Sequence, residues 1–375
     1  MIFRSIFILV ALFLSGFIIP EFPDDGATSG TSPAPSPVVI PTSEKHRGVS
    51  WVAGNRIKPE YLNALVDHHI NWIVQTPFGW QRGLHTPAIA LATTGNILWG
   101  ETDAGLTLTA KMARQKGIHT LLKPHIWVGG GKFRGDIRME NEEDWQKWFD
   151  DYRTWILHYA RLAAEYHFEG LCIGTELRST VREREKDWRG LIRDIRKIYS
   201  GKLTYAANWY AEFEEVPFWD MLDFIGIQAY FPLTDQPAPS LDTLVAGWKP
   251  HAHRIEKLSR QFNKPVIFTE IGYRTTEDAA HEPWTWPQAG QKTPLDPTTQ
   301  ARCYEAFFRV FWDQPWFAGA YWWKWFPNHE HAGGVKQAGF TPQNKSAATI
   351  LTQWYGRSTV DENSSESPAT SLPER

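Results

Sequence analysis

Between residues 46 and 356, short apolar runs alternate with longer amphipathic stretches. Eight runs recur: RGVSWV from Arg47, INWIVQT from Ile70, HTLLKPHI from His119, EGLCIGTE from Glu169, KLTYAAN from Lys202, DFIGIQAY from Asp223, KPVIFTE from Lys264 and AGAYWWKW from Ala318. They are nearly continuous in apolar residues, the pattern of parallel strands covered on both faces. The stretches between them carry the helical period. In 141–167, Trp145, Trp148, Phe149, Tyr152, Ile156, Tyr159 and Ala163 keep the i, i+3, i+4, i+7 spacing. Asn141 suits the cap of that helix, and Glu142, Glu143 and Asp144 suit its positive end. Segment 184–202 places Trp188, Ile192, Ile195 and Ile198 on one face and stops at Gly201. Segments 240–263, 298–314 and 341–356 repeat the pattern, and Pro250 is expected to interrupt the first of them. Eight strands alternating with helices predict an α/β fold, a single (β/α)8 TIM barrel over 46–356. A doubly wound open sheet is the rival, but no glycine-rich phosphate turn follows the first run.

The ends break this rhythm. Arg4 precedes an apolar run from Ile6 to Ile19, too short for the ~20 residues that cross a bilayer comfortably. Residues 1–20 therefore read as a signal peptide or a short N-terminal anchor. The chain is expected to be exported, to the periplasm, the exterior or the membrane surface, with membrane contact only through that anchor. Residues 21–45 are rich in Pro, Ser, Thr and Gly, and 357–375 are similar in composition. Both are expected to be disordered, a linker and a tail.

Charge and composition narrow the function. The chain has 375 residues, with 39 basic against 42 acidic, a net charge of −3. Nucleic-acid binding needs a clustered positive excess that this balance does not offer. Two cysteines make neither a disulfide framework nor a four-thiolate metal site. The outlying number is 20 tryptophans, which implies a heavily packed aromatic core or surfaces that stack on flat ligands.

Barrel enzymes carry their chemistry at the C-terminal ends of the strands. Two of those ends hold glutamates: Glu176 closes the fourth run and Glu270 the seventh. An unpartnered charge at a buried strand end costs several kcal/mol, so a fold seldom keeps two for packing alone. The packing alternative is a Lys or Arg partner for each at the rim. Strands four and seven lie roughly opposite in a closed barrel, so both carboxyls reach one cleft. One protonated and one ionised carboxyl across a cleft are the minimum for glycoside hydrolysis.

The motifs RGVSWV, VQTPFGWQ, LLKPHIW, CIGTEL, YAANWY, IGIQAYFPL, FTEIGY and YWWKW, in this order, resemble glycoside hydrolase family 113 over essentially all of 46–356. Members of that family are TIM-barrel, retaining β-1,4-mannan hydrolases. The resemblance implies double displacement, with Glu176 as general acid/base and Glu270 as nucleophile. It implies a polysaccharide or oligosaccharide substrate, most closely β-mannan, and no cofactor; the enzyme is expected to act as a monomer. It also implies that the Tyr230 hydroxyl donates to Glu270. The wider superfamily commonly has Asn before the acid/base; here Thr175 stands there, which leaves Asn208 as the nearest candidate to hold the sugar 2-hydroxyl.

Other strand-end and loop residues complete the candidate binding set. Trp51 ends the first run, and His125 and Trp127 the third. His125 is placed to bind a sugar hydroxyl or touch Glu270, or else is a satisfied core histidine. Trp323 and Trp325 share a face by the period of two, and one of them is a candidate floor for the reacting sugar. Trp284 and Trp286, in EPWTWP after the seventh run, are candidate platforms for further sugar units. Two other readings stand beside hydrolysis by two glutamates. A metal-dependent barrel hydrolase would use some of the 13 histidines, but His329, His331 and the His68–His69 pair have no second ligand set at a strand end. A carbohydrate-binding barrel without catalysis would not need both glutamates.

Overall fold

The apolar runs become strands. In the computed structural model of the chain, residues 37–91, 97–286 and 293–365 are described, with side chains as far as residue 357. Strands β1 (His46–Trp51), β2 (Trp72–Gln75), β3 (Phe78–Gln81), β4 (Ile89–Leu91), β5 (His119–Leu122) and β6 (His125–Val128) come first. Strands β7 (Gly170–Thr175), β8 (Lys202–Asn208), β9 (Phe224–Gln228), β10 (Val266–Ile271) and β11 (Phe317–Trp325) follow. The helices are α1 (Asn63–Asp67), α2 (Asp103–Arg114), α3 (Glu142–Glu165), α4 (Arg178–Glu183), α5 (Glu185–Arg196), α6 (Leu241–Phe262), α7 (Pro297–Phe311) and α8 (Ser346–Ser365). Strands β1, β2, β5, β7, β8, β9, β10 and β11 close, in that order, into an all-parallel barrel with helices between them: a (β/α)8 TIM barrel.

The long helices α3, α6 and α7 carry their caps in the sequence. Asn141 accepts the Asp144 N–H at 2.9 Å to start α3, and Ser240 accepts the Thr243 N–H at 3.1 Å to start α6. Asp296 accepts from Thr298 and Thr299 ahead of Pro297, the first residue of α7. Pro250 does not interrupt α6, against expectation. Pro250 and Ala246, whose carbonyl loses its usual N–H partner, both lie on the exposed face, where water can satisfy that carbonyl. The buried face, with Leu244, Trp248, Ile255 and Leu258, is undisturbed.

The third apolar run divides. Pro124 has no N–H for a sheet ladder, and the run splits there into β5 in the barrel and β6 outside it. Strand β6 pairs in parallel with β3, and β3 pairs antiparallel with β4, forming a small sheet above the barrel rim. Inside the barrel, Trp72, Val74, Leu121, Cys172, Ala206, Ile267, Ala318 and Tyr321 pack as one cluster. The larger apolar layer lies between strands and helices, and most of the 20 tryptophans are buried in it.

Both edges of the expected barrel run further than composition implied. Ile40 N–H donates to the Pro315 carbonyl at 2.7 Å, and Lys45 Nζ donates to the Trp312 and Gln314 carbonyls at 2.6 and 2.8 Å. The end of the Pro/Ser/Thr segment is therefore attached to the loop before β11. At the other edge α8 continues to Ser365. The expected signal or anchor at 1–20, the linker up to 36 and the tail from 366 lie outside the described residues.

The strands that bear the two glutamates, and the last strand, each carry an extra residue near the C-terminal end. Between Cys172 and Thr175, β7 advances three residues while β8 advances two, from Thr204 to Ala206. Strand β10 goes from Phe268 to Glu270 while β9 goes from Ile227 to Gln228. Strand β11 goes from Trp322 to Trp325 while β1 goes from Val49 to Trp51. Such bulges interrupt the ladder and re-aim side chains.

Candidate active site

A cavity of about 960 Å³ opens over the C-terminal ends of the barrel strands, and both Glu176 and Glu270 line it. Glu270 lies in the β10 bulge and is 6% exposed. Its Oε1 accepts a 2.5 Å hydrogen bond from Lys123 Nζ, and its Oε2 accepts one of 3.0 Å from the Tyr230 hydroxyl. Lys123 is fully buried and also donates to Gln228 Oε1 and the Thr269 carbonyl, both at 3.2 Å. Burial and the neighbouring Glu270 carboxylate push the Tyr230 phenol well above its usual range, so it remains a donor. His125 places Nε2 3.9 Å from Glu270 Oε1, beyond hydrogen-bond reach, and this nitrogen has no protein partner. Burial, with Lys123 and Arg134 nearby, holds the His125 imidazole well below its ordinary value, hence neutral.

Glu176 has a different setting. It follows the β7 bulge with φ +52°, in the left-handed region, and its N–H donates to the Ala206 carbonyl at 2.8 Å. Its Oε1 accepts from Asn208 Nδ2 at 2.6 Å, and its Oε2 from the Arg134 guanidinium at 3.0 Å. Burial raises its pKa, the Arg134 charge opposes the rise, and Glu270 adds to it. The result is a carboxyl raised above its ordinary range, as a proton donor requires.

The aromatic residues divide. Trp127, Trp284, Trp286 and Trp323 line the cavity with His125, Asn208 and Tyr230. Trp284 stacks on Trp209, ring centroids 5.1 Å apart, and Trp286 meets Trp323 edge-on at 6.4 Å. Trp51 and Trp325 do not line the cavity; both are buried in the layer around the barrel. Trp51 points from the end of β1 into that layer, and for Trp325 the β11 bulge is the reason, because the extra residue ends the period of two. Trp323 reaches the cleft while Trp325 turns under it, stacked on His329 and edge-on to His68. Trp322 faces the helices and stacks on Tyr304.

Sequence reasoning left Lys123 without a role and did not single out Arg134. The signal for Lys123 was available: an ammonium inside the run HTLLKPHI has to find a carboxylate. Arg134 had no such signal, because it lies in a short turn, Arg134–Asp136, whose path depends on β6. That path is fixed by a hydrogen bond from Arg134 Nε to the Ile126 carbonyl at 3.0 Å.

The family model of Glycoside Hydrolase Family 113 matches residues 52–345. Among solved structures, the GH113 β-mannanase AaManA from Alicyclobacillus acidocaldarius, in complex with ManMIm, superposes with a TM-score of 0.72 at 26% identity, over 84% of this chain and 98% of that one. A GH113 β-1,4-mannanase in a complex structure gives 0.71 at 23% identity, over 84% and 99%. A β-glucuronidase from Faecalibacterium prausnitzii gives 0.52 at 12% identity, over 84% of this chain and 49% of that one, a likeness of fold. No curated protein sequence matches the chain significantly.

Proposed function

The chain belongs to glycoside hydrolase family 113, and from that premise we propose that it cleaves β-1,4-mannan internally, with retention, using Glu270 as nucleophile and Glu176 as acid/base. The observation that carries this reading is the contrast between two carboxyls in one cavity. Glu270 is fixed by an ammonium and a phenol, both donating to it. Glu176 is raised above its ordinary range by burial. Two carboxyls with divergent surroundings are the acid and nucleophile of a double displacement. Glu270 attacks the anomeric carbon as Glu176 gives its proton to the departing oxygen. Glu176 then takes a proton from the water that hydrolyses the glycosyl ester. The His125 Nε2, which has no protein partner, and the second N–H of the Asn208 amide, whose first donates to Glu176, are available to sugar hydroxyls, and Trp323 serves as the floor under the reacting sugar. The mannan-cleaving relative at 26% identity supports the choice of sugar. The apolar stretch at 1–20 supports export.

The test uses β-1,4-linked mannan, glucan and xylan, with proton NMR of the first product anomer. Mannan should be hydrolysed and the β-anomer should appear first; an initial α-anomer would reject retention. Glu270→Gln should be inactive on every substrate. Glu176→Ala should keep most of its kcat/KM on dinitrophenyl glycosides, whose leaving group needs no proton, and azide, which attacks the glycosyl-enzyme without a general base, should restore its kcat. Identical behaviour of the two variants on activated substrates would mean the roles are assigned wrongly.

A further inference from the structure

Beneath Asn208 lies a buried carboxyl that this chemistry does not use. Glu212, in the segment after β8, is 1% exposed. Its Oε2 accepts the Asn208 backbone N–H at 2.6 Å, and its Oε1 accepts the Tyr205 hydroxyl at 2.6 Å. The Tyr205 hydroxyl in turn accepts the Leu177 N–H, also at 2.6 Å. Leu177 directly follows Glu176, whose left-handed backbone has to be held by its surroundings. Asn208 supplies the amide that touches Glu176 Oε1. Two separate supports of Glu176, the backbone on its C-terminal side and the amide on its carboxyl, therefore converge on the two oxygens of one side chain.

We propose that Glu212 is a positioning residue for the acid/base: it fixes Asn208 directly and Leu177 through Tyr205, and so holds the Glu176 carboxyl at the leaving oxygen. Packing does not explain a carboxyl here, since an apolar residue would fill the space without a desolvation cost. Burial and the neighbouring Glu176 raise Glu212, while the Tyr205 and Asn208 hydrogen bonds and the Arg178 charge favour the ionised form that accepts both donors. Both contacts are donors, so the place is built for two acceptor oxygens. A glutamine offers one, and its amide nitrogen would face a donor.

This inference rests on Glu176 acting as acid/base, and the experiment separates the two. kcat/KM is measured for the wild type, Glu212→Gln, Tyr205→Phe and Glu176→Ala on aryl β-mannosides graded in leaving-group acidity. Glu212→Gln and Tyr205→Phe should lose roughly tenfold or more on the least acidic phenols and less than about threefold on dinitrophenol, which departs unprotonated. A loss of equal size across the series, as a merely structural role would give, overturns the proposal, as does no loss. If Glu176→Ala is itself uniform across the series, the acid/base assignment fails instead. A crystal structure of Glu212→Gln decides the positioning role whatever the substrate: the Asn208 Nδ2 contact with Glu176 Oε1 should be lost. That contact persisting at 2.6 Å overturns the proposal. Tyr205→Phe removes a single hydroxyl and carries the same tests should Glu212→Gln fold poorly.

Discussion

At the scale of residues, the site is set by which charge stands beside which carboxyl. Burial raises the Glu176 pKa, and the Arg134 guanidinium 3.0 Å away restrains the rise. A positive neighbour favours the ionised form, so removing it should leave Glu176 protonated to higher pH. Arg134→Gln should therefore move the alkaline limb of the kcat/KM profile to higher pH. A limb that stays in place, or moves down, would show that Arg134 does not tune the proton donor. The Tyr230 phenol is raised far above its usual range and stays neutral throughout, so it contributes no limb in the working range.

At the scale of elements, strand ends and loops divide the labour. The bulges in β7, β10 and β11 turn Glu176, Glu270 and Trp323 toward one cavity. The loop after β10 adds Trp284, 42% exposed and backed by Trp209. Under the proposed function a ring so placed would bind a sugar distant from the bond being cut and, by analogy with aromatic pairs, would contribute roughly 0.5–1.5 kcal/mol beyond area burial. Remote binding of that kind is used to hold the reacting sugar distorted. Trp284→Ala should accordingly lower kcat/KM by up to about tenfold on long manno-oligosaccharides and hardly at all on a disaccharide. Trp323→Ala should damage both alike if, as proposed, that cavity-lining ring is the floor under the reacting sugar. Kinetics against chain length separate these outcomes. An equal loss for Trp284→Ala at every length, with a lowered Tm, would reduce that ring to a packing role.

At the scale of the whole molecule, the barrel end opposite the cavity is closed by His46, Trp72 and Tyr321. The His46 ring stacks on Trp72 at 4.0 Å, and its Nδ1 lies 2.7 Å from the Tyr321 hydroxyl. Burial lowers the His46 pKa to about 3, so it is neutral in the folded chain and takes a proton near its usual value when unfolded. Because the folded value is depressed, its contribution to stability is complete above about pH 6.5 and is lost as pH falls toward 3. The slope is at most about 1.4 kcal/mol per pH unit. His125, also lowered, acts with the same sign. Denaturant unfolding at pH 7 and pH 4.5 should show a stability loss that is smaller in His46→Phe than in the wild type, whatever the starting stability of the variant. An equal loss in the two proteins would remove His46 from the account of acid sensitivity.

The sequence alone determined the architecture, because parallel strands under helices need continuous apolar runs, and amphipathic helices need their 3.6-residue period; both can be read locally. It also singled out Glu176 and Glu270, since an ionisable residue closing an apolar run is conspicuous in a string of letters. Tertiary structure decided what surrounds them. The period of two put Trp323 and Trp325 on one face, but an extra residue in β11 sent Trp325 into the core. Pro250 remained inside its helix because its face is exposed, a matter of how α6 packs. Lys123, Arg134 and Glu212 reach the site from positions 147, 42 and 36 residues away from the glutamates they serve. Hydrogen bonds across such separations depend on barrel closure, strand register and bulges, each set by contacts among distant segments that no local window contains.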